Sequence, residues 1–181
     1  MALNATIYKA ELNVVDIDRH YYEQHNLILA QHPSETAERL MLRLLVFALH
    51  ASETMAFTKG LSIDDEPDLW QKNLSGDIEL WVELGLPSEK RLKKACGRSK
   101  QVIVYAYGAG AADLWWQKLQ PQLSRFNNLA VLRIDLAPLE QFTTLLSRTI
   151  ELQVSIQDAD ITCRCGDNEL SITLENLLLN G

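Results

Sequence analysis

The sequence contains few cysteines, no long apolar run and no excess of basic charge. Cys96, Cys163 and Cys165 are its only thiols in 181 residues, and their spacing is not that of a zinc site. A small odd number of thiols argues against a disulfide framework and favours a reducing compartment. No apolar run is long enough for a membrane span, and no basic and apolar leader opens the chain. We therefore expect a cytoplasmic protein with no membrane partner.

The charge balance excludes one class of nucleic-acid-binding protein. The formal net charge is −7, whereas a protein that coats nucleic acid without selectivity is basic. Positive charge is concentrated between residues 89 and 100, where six lysines and arginines accompany one glutamate. This segment is interpreted either as a patch that holds phosphate or as the solvated face of a helix. The apolar content of 47% and the charged content of 23% are typical of a globular protein, and we expect one domain over residues 1–181.

Apolar periodicity predicts an α/β (α+β) fold built around two sheets. Alternation predicts strands at 6–14 and 20–31 and a three-stranded meander over 150–174, which together would form a second, antiparallel sheet. The predicted core, about residues 33–148, would be flanked by β elements at 5–31 and 149–175. Within the core we expect helices starting at Pro33 and at Glu89 and helices over 111–119 and 138–148. The strands expected there are 57–61, 102–107 and 129–134, together with a hairpin.

The hairpin brings two carboxylates together. Around a turn at 74–77, the natural antiparallel register pairs Trp70 with Trp81 and Lys72 with Glu79, and it sets Asp68 opposite Glu83. Directly opposed like charges destabilise a sheet. The pair therefore requires a compensating cation, and a metal ion is the candidate that the sequence suggests.

The order helix, three strands, helix, strand resembles the αβββαβ core of the PD-(D/E)xK nuclease superfamily, which has the restriction-endonuclease-like fold. Pro67-Asp68 before one strand and Glu83 late in the next carry this resemblance. The whole chain, moreover, resembles the bacterial YaeQ family. That resemblance rests on blocks of sequence at 5–10, 32–39, 64–67, 80–87, 93–96 and 156–158.

The superfamily resemblance implies a metal site. By position, Asp68 would be the metal-bridging acid and Glu83 the second acid, with the backbone carbonyl of Leu84 as a further ligand. Mg²⁺ is the cofactor that such oxygen donors suit, since it keeps several waters beside a few carboxylates. Glu38, on the first helix, lies where the superfamily often has an auxiliary acid. Its alternative interpretation is an ordinary exposed helix residue.

The chain departs from the superfamily pattern at Gly85, where a lysine is expected two residues after Glu83. A replacement on the following helix is Lys94, with Arg91 and Lys90 as phosphate-binding support, unless these side chains only cover a solvated face. Two functions follow. One is a Mg²⁺-dependent phosphodiesterase, or nuclease, acting on DNA or RNA. The other is a catalytically degenerate nuclease fold that serves as a regulatory module binding nucleic acid or another protein. We expect a monomer or weak dimer.

Overall fold

The computed structural model describes residues 4–59 and 65–180. Residue 64 of the family block 64–67 and the end of the predicted extended run 57–61 lie outside the described residues. Within them, eleven strands and four helices follow in this order: β1 (Thr6–Asp16), β2 (Tyr21–Gln31), α1 (Ala37–Leu49), β3 (Met55–Phe57), β4 (Leu69–Lys72), β5 (Ile78–Leu84), α2 (Glu89–Arg98), β6 (Ser99–Ala106), α3 (Ala109–Leu123), β7 (Leu129–Ile134), α4 (Ala137–Thr143), β8 (Thr149–Gln157), β9 (Asp160–Cys165), β10 (Asn168–Ile172) and β11 (Leu174–Leu179). None of these helices has the length and apolar character needed to cross a bilayer.

The chain divides into two compact units, and the first contains the N-terminal strands and the C-terminal strands that were predicted to form the second sheet. It runs up to Ala51 and from Leu136 to Thr173. Its five strands lie in the order β10-β9-β8-β1-β2, and α1 and α4 contact each other. The predicted union of the N-terminal strands with the meander is confirmed. The prediction that this sheet is antiparallel is wrong at one pair, because β1 and β8 are parallel. No tight turn joins these two strands, so chain connectivity does not impose an antiparallel direction.

The second unit contains the hairpin. It comprises Ser52–Asp135 and Leu174–Gly181, and its six strands lie in the order β11-β7-β6-β5-β4-β3. Strands β5, β6 and β7 are parallel to one another, and the remaining pairs are antiparallel. Helices α2 and α3 pack on one face of this sheet through Leu92, Ala95 and Leu123. Both sheets are therefore mixed.

Several element ends differ from the predictions for local reasons. Helix α1 begins at Ala37 and not at Pro33, because the Thr36 hydroxyl caps it by accepting the Arg39 N–H at 3.2 Å. Helix α3 continues through Pro121, which lies in its last turn, where a missing N–H costs one hydrogen bond. Helix α4 ends at Thr143, five residues before the predicted end. The pattern assigned Leu174 to the meander, whereas it begins β11, which pairs with β7 in the second unit.

The hairpin register is partly as predicted. Trp70 pairs with Trp81, but Lys72 pairs with Ile78 and not with Glu79, because a bulge follows Gln71. The bulge arises from the turn, in which the Asn73 side-chain oxygen accepts the N–H groups of residues 75 and 77 at 2.9 Å. The Glu79 carboxylate accepts a hydrogen bond from Lys100 at 2.8 Å instead.

Candidate functional site

The two predicted acids are buried beside each other at the end of the hairpin. Asp68 is 5% exposed and Glu83 is 3% exposed. Asp68 directly precedes β4, and the pairing of Leu69 with Val82 brings it next to Glu83 on β5. The Asp68 Oδ2 atom accepts the backbone N–H of Leu84 at 2.7 Å. The Asp68 carboxylate thus takes the place of a backbone acceptor in the hydrogen-bond ladder between β4 and β5. This bond fixes the carboxylate at the end of the strand pairing.

The Glu83 carboxylate is held by two donors on one oxygen. Its Oε1 atom accepts the indole N–H of Trp81 at 2.7 Å and the guanidinium Nε–H of Arg91 at 2.8 Å. Trp81 and Glu83 are two residues apart on one strand, so both side chains lie on the same face of the sheet. The compensating cation that contacts this acid pair is therefore Arg91, for which the sequence suggested only a phosphate-binding role.

Arg91 reaches Glu83 because helix α2 starts close to the end of β5. Ser88 caps the helix, accepting the Arg91 N–H at 3.3 Å. The Arg91 side chain is one quarter exposed, and its Nη2 atom also donates to the Glu66 carbonyl at 2.6 Å. One guanidinium therefore ties the loop before β4 to the acid on β5.

The electrostatics of the pair reflect its burial. Desolvation raises the pKa of Glu83 above its ordinary value, and the negative charge of Asp68 adds to that rise. The hydrogen bonds from Arg91 and Trp81 oppose it by stabilising the charged form. A buried carboxylate of this kind is costly without a partner, so the contact with Arg91 is important for the folded state.

A basic cavity of about 390 Å³ lies beside the acid pair. It is lined by Asp65, Ser88, Lys90, Arg91 and Lys94. Lys94 forms an exposed ion pair with Asp65, and its hydrogen bond lowers the pKa of that aspartate. Lys90 is exposed and has no ion-pair partner in the part of the chain that the structure describes. Arg91 is common to the cavity and to the acid pair.

The predicted site residues are distributed as follows. Asp68, Glu83 and Leu84 form one cluster with Arg91, and the cavity adds Lys90 and Lys94. Glu38 is half-buried on α1 in the first unit, and its auxiliary role stays a prediction.

Sequence reasoning missed Trp81, Ser88 and Asp65 as parts of the site. The spacing of Trp81 two residues before Glu83 is a signal that could have identified the indole as a carboxylate partner. Ser88 is signalled by its position before Glu89, since serine is a preferred N-cap residue. The contact of Asp65 with Lys94 joins residues 29 apart and has no signal in the local pattern.

The oxygen atoms of the acid pair are the type of ligand that a hard divalent cation prefers. Over residues 4–59 and 65–180 no three His, Cys, Asp or Glu side chains are grouped to hold a metal. Asp68, Glu83 and the Leu84 carbonyl would instead supply a partial shell of oxygens, as Mg²⁺ accepts when waters complete it. Arg91 already donates to Glu83 Oε1, so a cation would compete with the guanidinium for that oxygen.

Gly85 has a structural reason to be glycine. Its φ is +112°, a conformation that side chains disfavour, and its N–H donates to the Tyr105 carbonyl at 3.0 Å. A Cβ atom there would lie 3.9 Å from the Tyr107 side chain, so backbone strain and not crowding opposes a substitution. The chain conformation at the end of β5 therefore disfavours a lysine at residue 85.

The fold and the site define a mixed α+β protein with two mixed sheets and a buried acid pair closed by an arginine. The chain belongs to the YaeQ family, since the model of the family described as YaeQ protein matches residues 1–174. It is 48% identical to uncharacterized protein YaeQ of Salmonella typhi and 46% identical to that of Escherichia coli K12, each over 174 residues and 96% of both chains.

Two crystal structures of YaeQ proteins have the same fold. The protein from Xanthomonas axonopodis pv. citri superposes with a TM-score of 0.90 at 44% identity, covering 96% of this chain and 98% of that one. The protein from Pseudomonas syringae gives a TM-score of 0.91 at 33% identity, covering 96% of each chain. The names of these relatives assign no activity to them.

Proposed function

We propose that this protein is a Mg²⁺-dependent phosphodiesterase that cleaves nucleic acid. The observation that carries the proposal is the burial of two carboxylates, Asp68 and Glu83, side by side next to a cavity lined by three basic side chains. Metal-assisted phosphodiester hydrolysis requires ligands for a hard cation and, beside them, a surface that binds phosphate. A structural pair of buried acids has no need of the lysines.

The order of elements supports a restriction-endonuclease-like core. Helix α1 is followed along the chain by β3, β4 and β5, whose neighbouring pairs are antiparallel, and then by α2 and the parallel strand β6. This is the αβββαβ order of the PD-(D/E)xK nucleases. The proposed metal ligands then lie before the second strand and late in the third, as the superfamily pattern requires.

Each residue of the site has a proposed task. Asp68, Glu83 and the Leu84 carbonyl hold the cation, and Trp81 orients the Glu83 carboxylate through its indole N–H. A Mg²⁺ ion bound there would polarise the phosphodiester and lower the pKa of the attacking water. Lys90 and Arg91 bind phosphate oxygens. Lys94 takes the place of the lysine missing at residue 85, and its ion pair with Asp65 is exposed and therefore easily exchanged.

A second candidate function is a binding module without turnover. The ion pair between Arg91 and Glu83 favours it, because a resident cation neutralises one of the two acids without a metal. Glycine at residue 85 favours it as well. In this case the cavity would hold phosphate groups of a nucleic acid while the acid pair served stability.

The two functions are separated by a cleavage assay with matched variants. Purified protein is incubated with labelled single- and double-stranded DNA and RNA in Mg²⁺ or Mn²⁺, alongside Glu83→Gln and Asp68→Asn. The control is Glu79→Gln. Glu79 lies on the same strand as Glu83, but it is partly exposed and paired with Lys100. Cleavage by the wild type and the control, and by neither of the other two variants, supports the nuclease. Binding without cleavage in any metal contradicts the nuclease and supports the module.

A further inference from the structure

We infer that Arg91 couples cation binding at the acid pair to phosphate binding in the basic cavity. The inference rests on the proposed function and specifies how its two parts communicate. The Arg91 guanidinium donates to Glu83 before the cation binds and to a substrate phosphate afterwards.

The contacts of Arg91 join the two parts of the site physically. Its Nε atom donates to Glu83 Oε1 at 2.8 Å, and its side chain also lines the cavity of about 390 Å³. Lys90 and Lys94 line the same cavity, and neither has a hydrogen bond to Asp68 or Glu83 within the described ranges. Arg91 is therefore the cavity cation with a direct link to the acid pair.

The charges give the coupling its sign. A divalent cation carries twice the charge of the guanidinium that contacts Glu83, so it is attracted more strongly to the two carboxylates than Arg91 is. A cation on Glu83 competes for the oxygen that Arg91 uses and repels the guanidinium. Guanidinium forms strong charge-assisted hydrogen bonds with phosphate as well as with carboxylate. When the cation binds Glu83, Arg91 can donate to phosphate in the cavity instead. Cation binding and phosphate binding therefore strengthen each other.

Coupling of this kind is reciprocal. If the cation tightens phosphate binding by some factor, phosphate must tighten cation binding by the same factor. Measured couplings between sites are typically about 5- to 150-fold, and we expect about tenfold here because one hydrogen bond to a charged group is exchanged.

The first experiment measures this factor by calorimetry with Mg²⁺ and inorganic phosphate as the probes. Phosphate is titrated into wild-type protein with and without Mg²⁺, and Mg²⁺ is titrated with and without phosphate. The variant is Arg91→Gln, and the control is Lys90→Gln, which removes a cavity cation that does not contact Glu83. We expect about tenfold mutual tightening in the wild type and the control, although the control binds phosphate more weakly overall. We expect much weaker coupling in Arg91→Gln, where direct contact between the metal and phosphate is all that remains, together with tighter Mg²⁺ binding than in the wild type.

Undiminished coupling in Arg91→Gln would overturn the inference, because it would mean that the metal contacts phosphate directly without help from Arg91. Absence of any Mg²⁺ binding that depends on Asp68 and Glu83 would overturn the proposed metal chemistry, and this inference with it. Mg²⁺ binding without coupling in the wild type would overturn the inference alone.

The second experiment uses unmodified protein and does not depend on the folding of a variant. The Nε–H signal of Arg91 is followed by ¹⁵N NMR as Mg²⁺ is added, and the Leu84 amide, which is bonded to Asp68, reports occupancy of the pair. We expect the Arg91 signal to shift in step with that of Leu84. A Leu84 amide that responds while Arg91 Nε–H stays unchanged would contradict an exchange of the guanidinium.

Discussion

The ion pair between Arg91 and Glu83 should contribute measurably to the stability of the second unit. The Glu83 side chain is 5% exposed and that of Arg91 is 25% exposed, and their Nε and Oε1 atoms are 2.8 Å apart. Removal of one partner from a fully buried pair costs about 3–5 kcal/mol, whereas an exposed pair is worth about 0–1 kcal/mol. Arg91 is partly exposed and Glu83 keeps its bond from Trp81, so we expect Arg91→Gln to cost about 2 kcal/mol.

The pairwise part of this energy can be isolated by a double-mutant cycle. The free energy of unfolding in urea is measured at pH 7 for the wild type, Arg91→Gln, Glu83→Gln and the double variant. Tryptophan fluorescence and circular dichroism are recorded together, so that coincident transitions establish two-state behaviour. We expect the double variant to be less destabilised than the sum of the single variants by about 1–2 kcal/mol, because the buried charge is no longer left without its partner.

The same helix offers a matched exposed pair as control. Arg125 Nη2 and Glu89 Oε1 are 2.9 Å apart, a similar distance, but their side chains are 55% and 38% exposed. A cycle on this pair should give a coupling below about 0.5 kcal/mol. Additive effects at Arg91 and Glu83, or equal couplings in the two cycles, would refute the argument that burial strengthens the pair.

Three further predictions concern single residues. Trp81→Phe removes the indole donor from Glu83 and should lower the free energy of unfolding by about 1–3 kcal/mol in urea; no change would show that this hydrogen bond is not important. Gly85→Ala should lower stability by about 1–2 kcal/mol because residue 85 has a positive φ, whereas Gly97→Ala inside α2 should raise it by about 0.5–1 kcal/mol. Thermal unfolding of both variants tests this prediction, and equal shifts of the two melting temperatures would contradict it. Burial lowers the pKa of His50 from 6.5 to about 4, so the folded state binds fewer protons than the unfolded state and stability falls as the pH drops from about 6.5 towards 4. After allowance for partial exposure, this loss is about 2 kcal/mol, and it should be smaller in His50→Gln; equal pH slopes in urea unfolding would contradict the assignment.

Much of the local structure could be predicted because it depends on neighbours in the chain. The alternation of apolar residues predicted β1, and the run Leu129–Ile134 was predicted with both ends of β7. The proximity of Asp68 and Glu83 followed from one hairpin, in which Trp70 faces Trp81. A short connection restricts the possible registers, so the pattern was sufficient there.

The errors arose where side-chain chemistry competes with the pattern. The Asn73 side chain binds backbone N–H groups in the turn, which inserts a bulge and moves Lys72 away from Glu79. The Thr36 hydroxyl caps α1 three residues after the proline that was expected to begin it. Such hydrogen bonds depend on a rotamer and a backbone conformation, and apolar periodicity contains neither.

The sequence by itself determined the family, the positions of most strands and helices, and the two acids that share an end of the hairpin. Only the tertiary structure decided which cation meets those acids, because Arg91 reaches Glu83 through the packing of α2 on the sheet. It likewise decided that β1 lies parallel to β8 and that β11 joins the second unit. Local patterns specify which face of an element is apolar, but a contact between distant residues depends on how whole elements pack.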